Sequence, residues 1–480
     1  MTLLERIGIV GLALILLVPC FWHAHIQAGD LSSHIYNAWL ANQVRDGSLP
    51  GIEVRYQWTN TLADWIFPVL LRWGGRTFAE RGIAVFAVQL FFWGAFCFLS
   101  TTGGRRAWPF APVLAMLAYG TVFQLGFLNF YLSTGFCLWM LTALWDVTRP
   151  RMMIAFLLAA LALVAHVMPL LAVIFAIAYL HLHRRFAARW NFVIFGSGFA
   201  SIAFIAGTLP LFFRTHWSWD HVLFEDGLLS ALGAGQFWPY GSKYAIPAIA
   251  SVILGFVYFL RRFDHGQALR DPMVHLWMLS IAAVAFLPGN IAVTGFTLPL
   301  EFIPVRLSLF VVLAGCAAFC PAGDVKGLNV AAAAVAAAYF TCLYLDASAW
   351  MRVEAEITAL VSAVPPNSRV VAAVRDRQSR YQPLTHVASA ACMGHCYDYA
   401  NYEALSGMFR LRAGGPNPAL PGDITVVTDI EDRPHLVTES EAPLYSICPA
   451  ENGAARFQLR KLSAGEWTCH FALDITSQIF

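Results

Sequence analysis

Residues 23–40 read HAHIQAGDLSSHIYNAWL and follow directly on an apolar run. They set His23, His25, Gln27, Asp30 and His34 within a short polar stretch. A carboxylate with histidines nearby can take a proton from an attacking hydroxyl or amine. The same set, His23, His25, Asp30 and His34, has donors for a divalent ion, but the motif is Gly-Asp without Asp-x-Asp, and no metal or other cofactor is expected. The bland role of Asp30 is a helix N-cap. Asp30 and His34 are four apart and share a face. The next segment, GIEVRYQWTNTLADW, adds Glu53, Gln57, Trp58 and Asn60. Amides and a carboxylate can hydrogen-bond a polar ligand, and an indole offers a flat apolar face. Further polar residues lie in RTHWSWDHVLFEDG (214–227), QFWPYGSKY (236–244) and LEFIPVRLS (300–308). His166, in LVAHVMPLL, sits between two apolar segments, where its bland role is a hydrogen bond to neighbouring backbone.

These residues are embedded in an apolar chain. The sequence is 58% hydrophobic and 12% charged, with mean hydropathy +0.60. Soluble domains carry about one-quarter charged residues, so a large soluble helical protein is excluded. The formal net charge of +2 gives no sign of a nucleic-acid partner. The apolar runs predict about eleven spans, at 6–23, 82–100, 108–125, 127–146, 152–165, 167–183, 190–213, 245–262, 273–289, 303–320 and 327–345. The first, IGIVGLALILLVPCFWHA, reads as a retained helix rather than a cleaved signal. Arg6, Arg105 and Arg106, Arg149 and Arg151, Arg184, Arg185 and Arg189, and Arg261, Arg262 and Arg270 then fall on one side. The positive-inside rule makes that side cytoplasmic. The segment 24–81 carries its arginines on the far side, where the rule weakens with length.

The expected architecture is mostly α. A polytopic membrane helix bundle over 1–345 precedes a small soluble α/β domain over 346–480 on the periplasmic or extracellular side of a plasma membrane. The polar helix ending at Gly47 is expected to lie along the outer interface. In the tail, VPPNSRVVAAV reads as helix end, turn and strand, and PGDITVVTDI and ARFQLRKL read as strands. Cys20, Cys97, Cys137, Cys316, Cys320 and Cys342 fall in spans as apolar fillers. Cys392, Cys396, Cys448 and Cys469 fall in the tail, where an even number suggests two disulfides of open connectivity. Cys392-Met-Gly-His-Cys396 also has a metal-like spacing without a second pair to complete it. No internal repeat is visible, and the alanine-rich stretch at 331–338 reads as a close-packing helix face.

GDLSSHIYNAWL (29–40), QLGFLNFYLSTG (124–135), AHVMPL (165–170) and FIPVRLSLF (302–310), with VPPNSRVV and ENGAARFQLRKL in the tail, resemble the polytopic glycosyltransferases of the C-type fold. That group includes the protein mannosyltransferases and the lipid A aminoarabinose transferase. The resemblance implies a polyprenyl-phosphate-sugar donor and a glycan, lipid or protein acceptor, with Asp30 as catalytic base. A direct displacement would invert the sugar carbon, with His34 and His166 orienting the base or the acceptor, and Glu53, Gln57, Trp58 and Asn60 contacting the sugar or acceptor. The departing phosphate needs a cation. Arg306 is the first choice, with Lys243 and Arg214 behind it and Glu301 as an internal counter-charge. Two other classes compete: a transporter or flippase of a lipid-linked glycan, which should show repeats and mid-span charges, and a non-catalytic assembly protein.

Overall fold

The computed structural model describes residues 3–146, 148–216, 226–263, 268–322, 326–450 and 456–475. The protein is mostly helical, with small sheets. Six helices among the described residues are long and apolar enough to cross a membrane: Leu62–Thr102, Leu128–Trp145, Val167–Phe186, Arg189–Phe212, Ser242–Arg262 and Gly327–Val361. Pro272–Phe286 and Ile303–Phe319 are shorter apolar helices.

Six is fewer than the eleven segments expected, and the reason is local. The 6–23 segment is a helix Leu3–Ile15 followed by a single turn, Val18–Phe21, with Pro19 in its first positions. The 108–125 segment breaks into Trp108–Phe110, Ala111–Ala118 and Thr121–Gln124. There Pro109 and Pro112 lack the N–H that a continuous helix needs, and Gly120 interrupts the rest. Leu62–Thr102 bends at Gly75 (φ 70°, ψ −169°), a left-handed position that glycine takes without strain.

The chain divides into two compact units. The helical unit comprises Met1–Leu16, Phe86–Phe123 and Leu128–Cys342. In it Leu128–Trp145 packs against Arg149–Ala165, and Pro272–Phe286 against Ile303–Phe319. Val284, Ile303, Leu307 and Val311 form one core cluster, and Tyr179, Ile194, Ile202, Leu279 and Ala282 another. A short antiparallel ribbon joins Arg214–His216 to Asn290–Ala292.

The mixed unit comprises Leu17–Val85, Gln124–Phe127 and Leu343–Phe480. Its main sheet has four strands in the order Tyr397–Asp398, Arg369–Val371, Leu444–Pro449, Phe457–Leu462. The first three run parallel and the last pair is antiparallel. Ala373–Asp376 pairs in parallel with His470–Leu473, and Ile52–Val54 pairs antiparallel with Leu411–Ala413. Val371, Tyr399, Ile430, Val437, Leu444 and Leu462 form the core beneath the sheet.

Two expectations are corrected here. The ITVVTDI stretch, expected as a strand, is a helix, Ile424–Asp432. Asp423 caps it by accepting from Thr425 N at 3.0 Å, and Val427 and Ile430 turn inward. The helix Leu31–Arg45, expected along an outer interface, is instead buried from Leu31 to Ala38 and again at Leu40 and Ala41. Its apolar residues enter the core, and its polar residues are covered by partners from far along the chain. Asn37 and Asn401 exchange side-chain hydrogen bonds (3.1 and 2.8 Å), and Ser33 donates to Glu403 (2.9 Å).

The four tail cysteines form two disulfides, Cys392–Cys396 and Cys448–Cys469. The metal-like pair is therefore joined to itself.

Candidate active site around Asp30

The site lies within the mixed unit and begins with two glycines. Gly29 (φ 34°) precedes Asp30, and Gly126 (φ 77°) lies in the strap 124–127 that crosses it. A Cβ on Gly29 would meet Leu125 O at 2.5 Å, and one on Gly126 would meet Ala28 O, Asp30 N and Leu31 N at 2.6 Å. At these two positions only glycine fits the crossing. It is fastened by Asp30 N donating to Leu125 O at 3.1 Å.

Asp30 stands at the N-terminus of Leu31–Arg45, but it does not act as a side-chain cap. Its backbone is already helical (φ −66°, ψ −7°), and its carboxylate makes no capping hydrogen bond. Instead His386 Nε2 donates to Asp30 Oδ1 at 3.2 Å. The imidazole is 6% exposed and the Asp30 side chain 26% exposed. A buried donor thus grips a carboxylate that still reaches solvent.

His386 precedes the short helix Val387–Cys392, and its ring stacks on Tyr402 (centroids 5.5 Å apart). Ser389 of that helix hydrogen-bonds the Asp398 carboxylate, while Asp398 N donates to Tyr36 Oη at 2.9 Å. The Cys392–Cys396 bridge closes the connection between that helix and the strand Tyr397–Asp398. Burial disfavours a charged His386, but Asp30, Glu431 and Asp398 outweigh it and raise its pKa. Burial pushes the Glu431 carboxyl up to about 7, with His386 opposing the rise and Asp398, Asp432 and Asp30 adding to it. Burial raises Asp398 as well. All three groups are thus shifted toward their protonated forms.

One turn on from Asp30, His34 Nδ1 lies 2.9 Å from Glu403 Oε1, both buried. Burial works against its charge, but Glu403, Asp64 and Asp30 carry the imidazole to about 9. His34 is thus occupied with Glu403, and the histidine on Asp30 is His386.

Other expected residues are spread out. His23 Nε2 turns to Tyr344 O (3.3 Å) and His25 Nδ1 to Glu80 (2.9 Å), so the histidines near Asp30 face different partners. Among the described residues no group of three or more histidines, cysteines or carboxylates is arranged to hold a metal. Glu53 pairs with Arg55 at 2.6 Å, and Gln57 donates to Met408 O at 2.8 Å. Trp58 is 75% exposed, edge-on to Tyr56. Asn60 takes a left-handed turn (φ 59°) just before the helix that starts at Leu62.

His166, Arg306, Lys243 and Arg214 belong to the helical unit. His166 is extended (φ −166°, ψ 130°) and caps the following helix, its Nδ1 accepting from Met168 N at 3.2 Å. Arg306 lies in the first turn of Ile303–Phe319, half-buried, and its charge opposes the rise that burial imposes on Glu301. Lys243 sits in the turn Ser242–Tyr244, and Arg214 is exposed in its ribbon. Residues 217–225 of the 214–227 loop lie outside the described residues. This unit also contains an apolar cavity of about 340 Å³, lined by Phe110, Phe237, Phe256, Trp277 and Phe319 among others.

His386, Asp398, Glu403 and Glu431 were not anticipated from sequence. The only local signal was His386 standing before VASAAC, a stretch read for its cysteine alone. The chain matches no protein-family model, no curated protein and no solved structure.

Proposed function

We propose that the protein is a membrane glycosyltransferase. It moves a sugar from a polyprenyl-phosphate donor to an acceptor on the periplasmic face of the inner membrane, in a polytopic frame of about eleven crossings. The observation that carries this reading is the Asp30 carboxylate, released from capping, gripped by buried His386 and still open to solvent. That is the arrangement a general base needs, a fixed direction with access to a proton. In the reaction the acceptor oxygen or nitrogen bonds to the anomeric carbon while the carbon–oxygen bond to phosphate breaks. The electron pair leaves with polyprenyl phosphate, and the acceptor proton passes to Asp30. One displacement gives inversion, and no metal is required.

Membrane-length helices and an apolar cavity in the helical unit suit a lipid-linked donor. Exposed Trp58, beside Gln57 and Asn60, suits a sugar ring with its hydroxyls. The test is native mass spectrometry of the detergent-purified protein and its extracted lipids. A co-purified polyprenyl-phosphate sugar supports the reading and identifies the donor. A lipid-linked oligosaccharide carried across proteoliposomes without transfer would favour a flippase instead.

A further inference from the structure

The tail carries a second concavity that the proposed reaction does not use. It lies in the mixed unit, has a volume of about 580 Å³, and is lined by Arg433, Pro434, Pro449, Arg460, Trp467 and His470 among others. That volume is within the usual range for a small-molecule site.

Its walls are tied by backbone: Val437 N to Glu466 O, Gly465 N to Val437 O and Thr468 N to His435 O, all at 2.9 Å. The Cys448–Cys469 bridge anchors the floor to the central sheet. On this rigid base Trp467 is 56% exposed, although indole is among the most valuable groups to bury. Leu436, bridged to it across the groove wall, is 44% exposed.

The rim is cationic and loosely held. Arg433 pairs with Asp429, four residues back, at 2.7 Å, and its side chain is 69% exposed. Arg460 lies 3.7 Å from Glu466 and is 44% exposed. Exposed pairs of this kind are worth at most about 1 kcal/mol. A ligand carboxylate can take their place and receive paired guanidinium hydrogen bonds. An exposed indole, two prolines and two replaceable guanidinium groups lining one groove match a pyranose that carries a carboxylate. The C–H face of the sugar would cover Trp467 and its acid group would meet Arg433 and Arg460. A protein partner would need about 800 Å² of contact on this side, far more than the groove provides.

We propose that this groove binds acidic carbohydrate, as a site separate from Asp30 and independent of the transferase reading. The test uses the full-length protein in detergent and tetragalacturonate as the probe, followed by isothermal titration and tryptophan fluorescence. Binding is expected, weakened at least tenfold by Trp467→Ala and at least tenfold by the double change Arg433→Gln and Arg460→Gln. The methyl-esterified tetramer should bind at least tenfold more weakly than the acid, and inorganic phosphate should not compete. Asp30→Asn should bind like the unaltered protein. Unchanged binding in Trp467→Ala, equal binding of the ester, competition by phosphate, or no binding at millimolar probe would each overturn the proposal. If Trp467→Ala lowers the melting temperature, the double arginine variant decides alone.

Discussion

Asp30 Oδ1 and His386 Nε2 stand 3.2 Å apart although 356 positions separate them in the chain. A hydrogen bond to a charged group is worth about 1.5–3 kcal/mol, which corresponds to roughly 10- to 100-fold in rate. His386→Ala should lower transfer by that factor, and His386→Gln, which keeps an N–H donor, should recover part of it. A purely structural role would lower the melting temperature of both variants and leave the surviving fraction with normal kcat.

Gly126 permits the crossing that sets the backbone of Asp30. Gly126→Ala would place a methyl 2.6 Å from three backbone atoms at a positive φ. Left-handed strain and overpacking together should cost at least about 2 kcal/mol. Gly47→Ala is the matched control, because Gly47 also has a positive φ (75°) but a Cβ there meets nothing within 4 Å. It should cost only the strain, about 1–2 kcal/mol. The difference in unfolding midpoint between the two variants measures the close approach.

The stability contributed by Glu431 and His34 should fall as pH rises from about 5 to 9. Glu431 and His34 are both raised in the folded protein, to about 7 and about 9. Each folded group holds its proton more tightly than the unfolded chain does, so its contribution is complete below the unfolded pKa. That contribution is lost as pH climbs through the folded value. For Glu431 the window runs from about 4.5 to 7, and for His34 from about 6.5 to 9. His34 alone accounts for about 3 kcal/mol. Unfolding midpoints measured across this range should flatten above pH 7 in His34→Gln.

Glu403 is the buried counter-charge of His34. Glu403→Gln keeps the shape and a partner for Ser33 but leaves an uncompensated imidazolium. Breaking a buried pair costs about 3–5 kcal/mol, and the His34 proton should then leave at lower pH. Histidine titration by NMR on the variant reads this directly.

Much of the mixed unit's chemistry was legible in the sequence, and the gaps have physical causes. Asp30 stood out as a carboxylate just after an apolar run, whereas the role of Gly29 in the crossing emerged only from the structure. The reading could not choose between cap and base, because that choice depends on His386, which no local pattern connects to it. The helix at 31–45 looked amphipathic only because Glu403 and Asn401, the groups that cover its polar side, are remote in sequence. The strand expected at ITVV failed for a local reason: β-branched residues favour strands, but the Asp423 cap and an inward Val427 and Ile430 favoured a helix. Strands at 369–371 and 457–462 were visible because apolar residues follow turn signals there, Pro-Pro-Asn-Ser before the first and Glu-Asn-Gly before the second.

The most direct test of the account is turnover by Asp30→Asn, purified in detergent and assayed with the polyprenyl-phosphate sugar that co-purifies. Asparagine keeps the shape and can still hydrogen-bond His386, but it cannot accept the acceptor's proton. The account predicts a loss of about 10²- to 10⁴-fold in kcat, with donor binding and melting temperature unchanged. Turnover at the unaltered rate would contradict it and remove Asp30 from the chemistry.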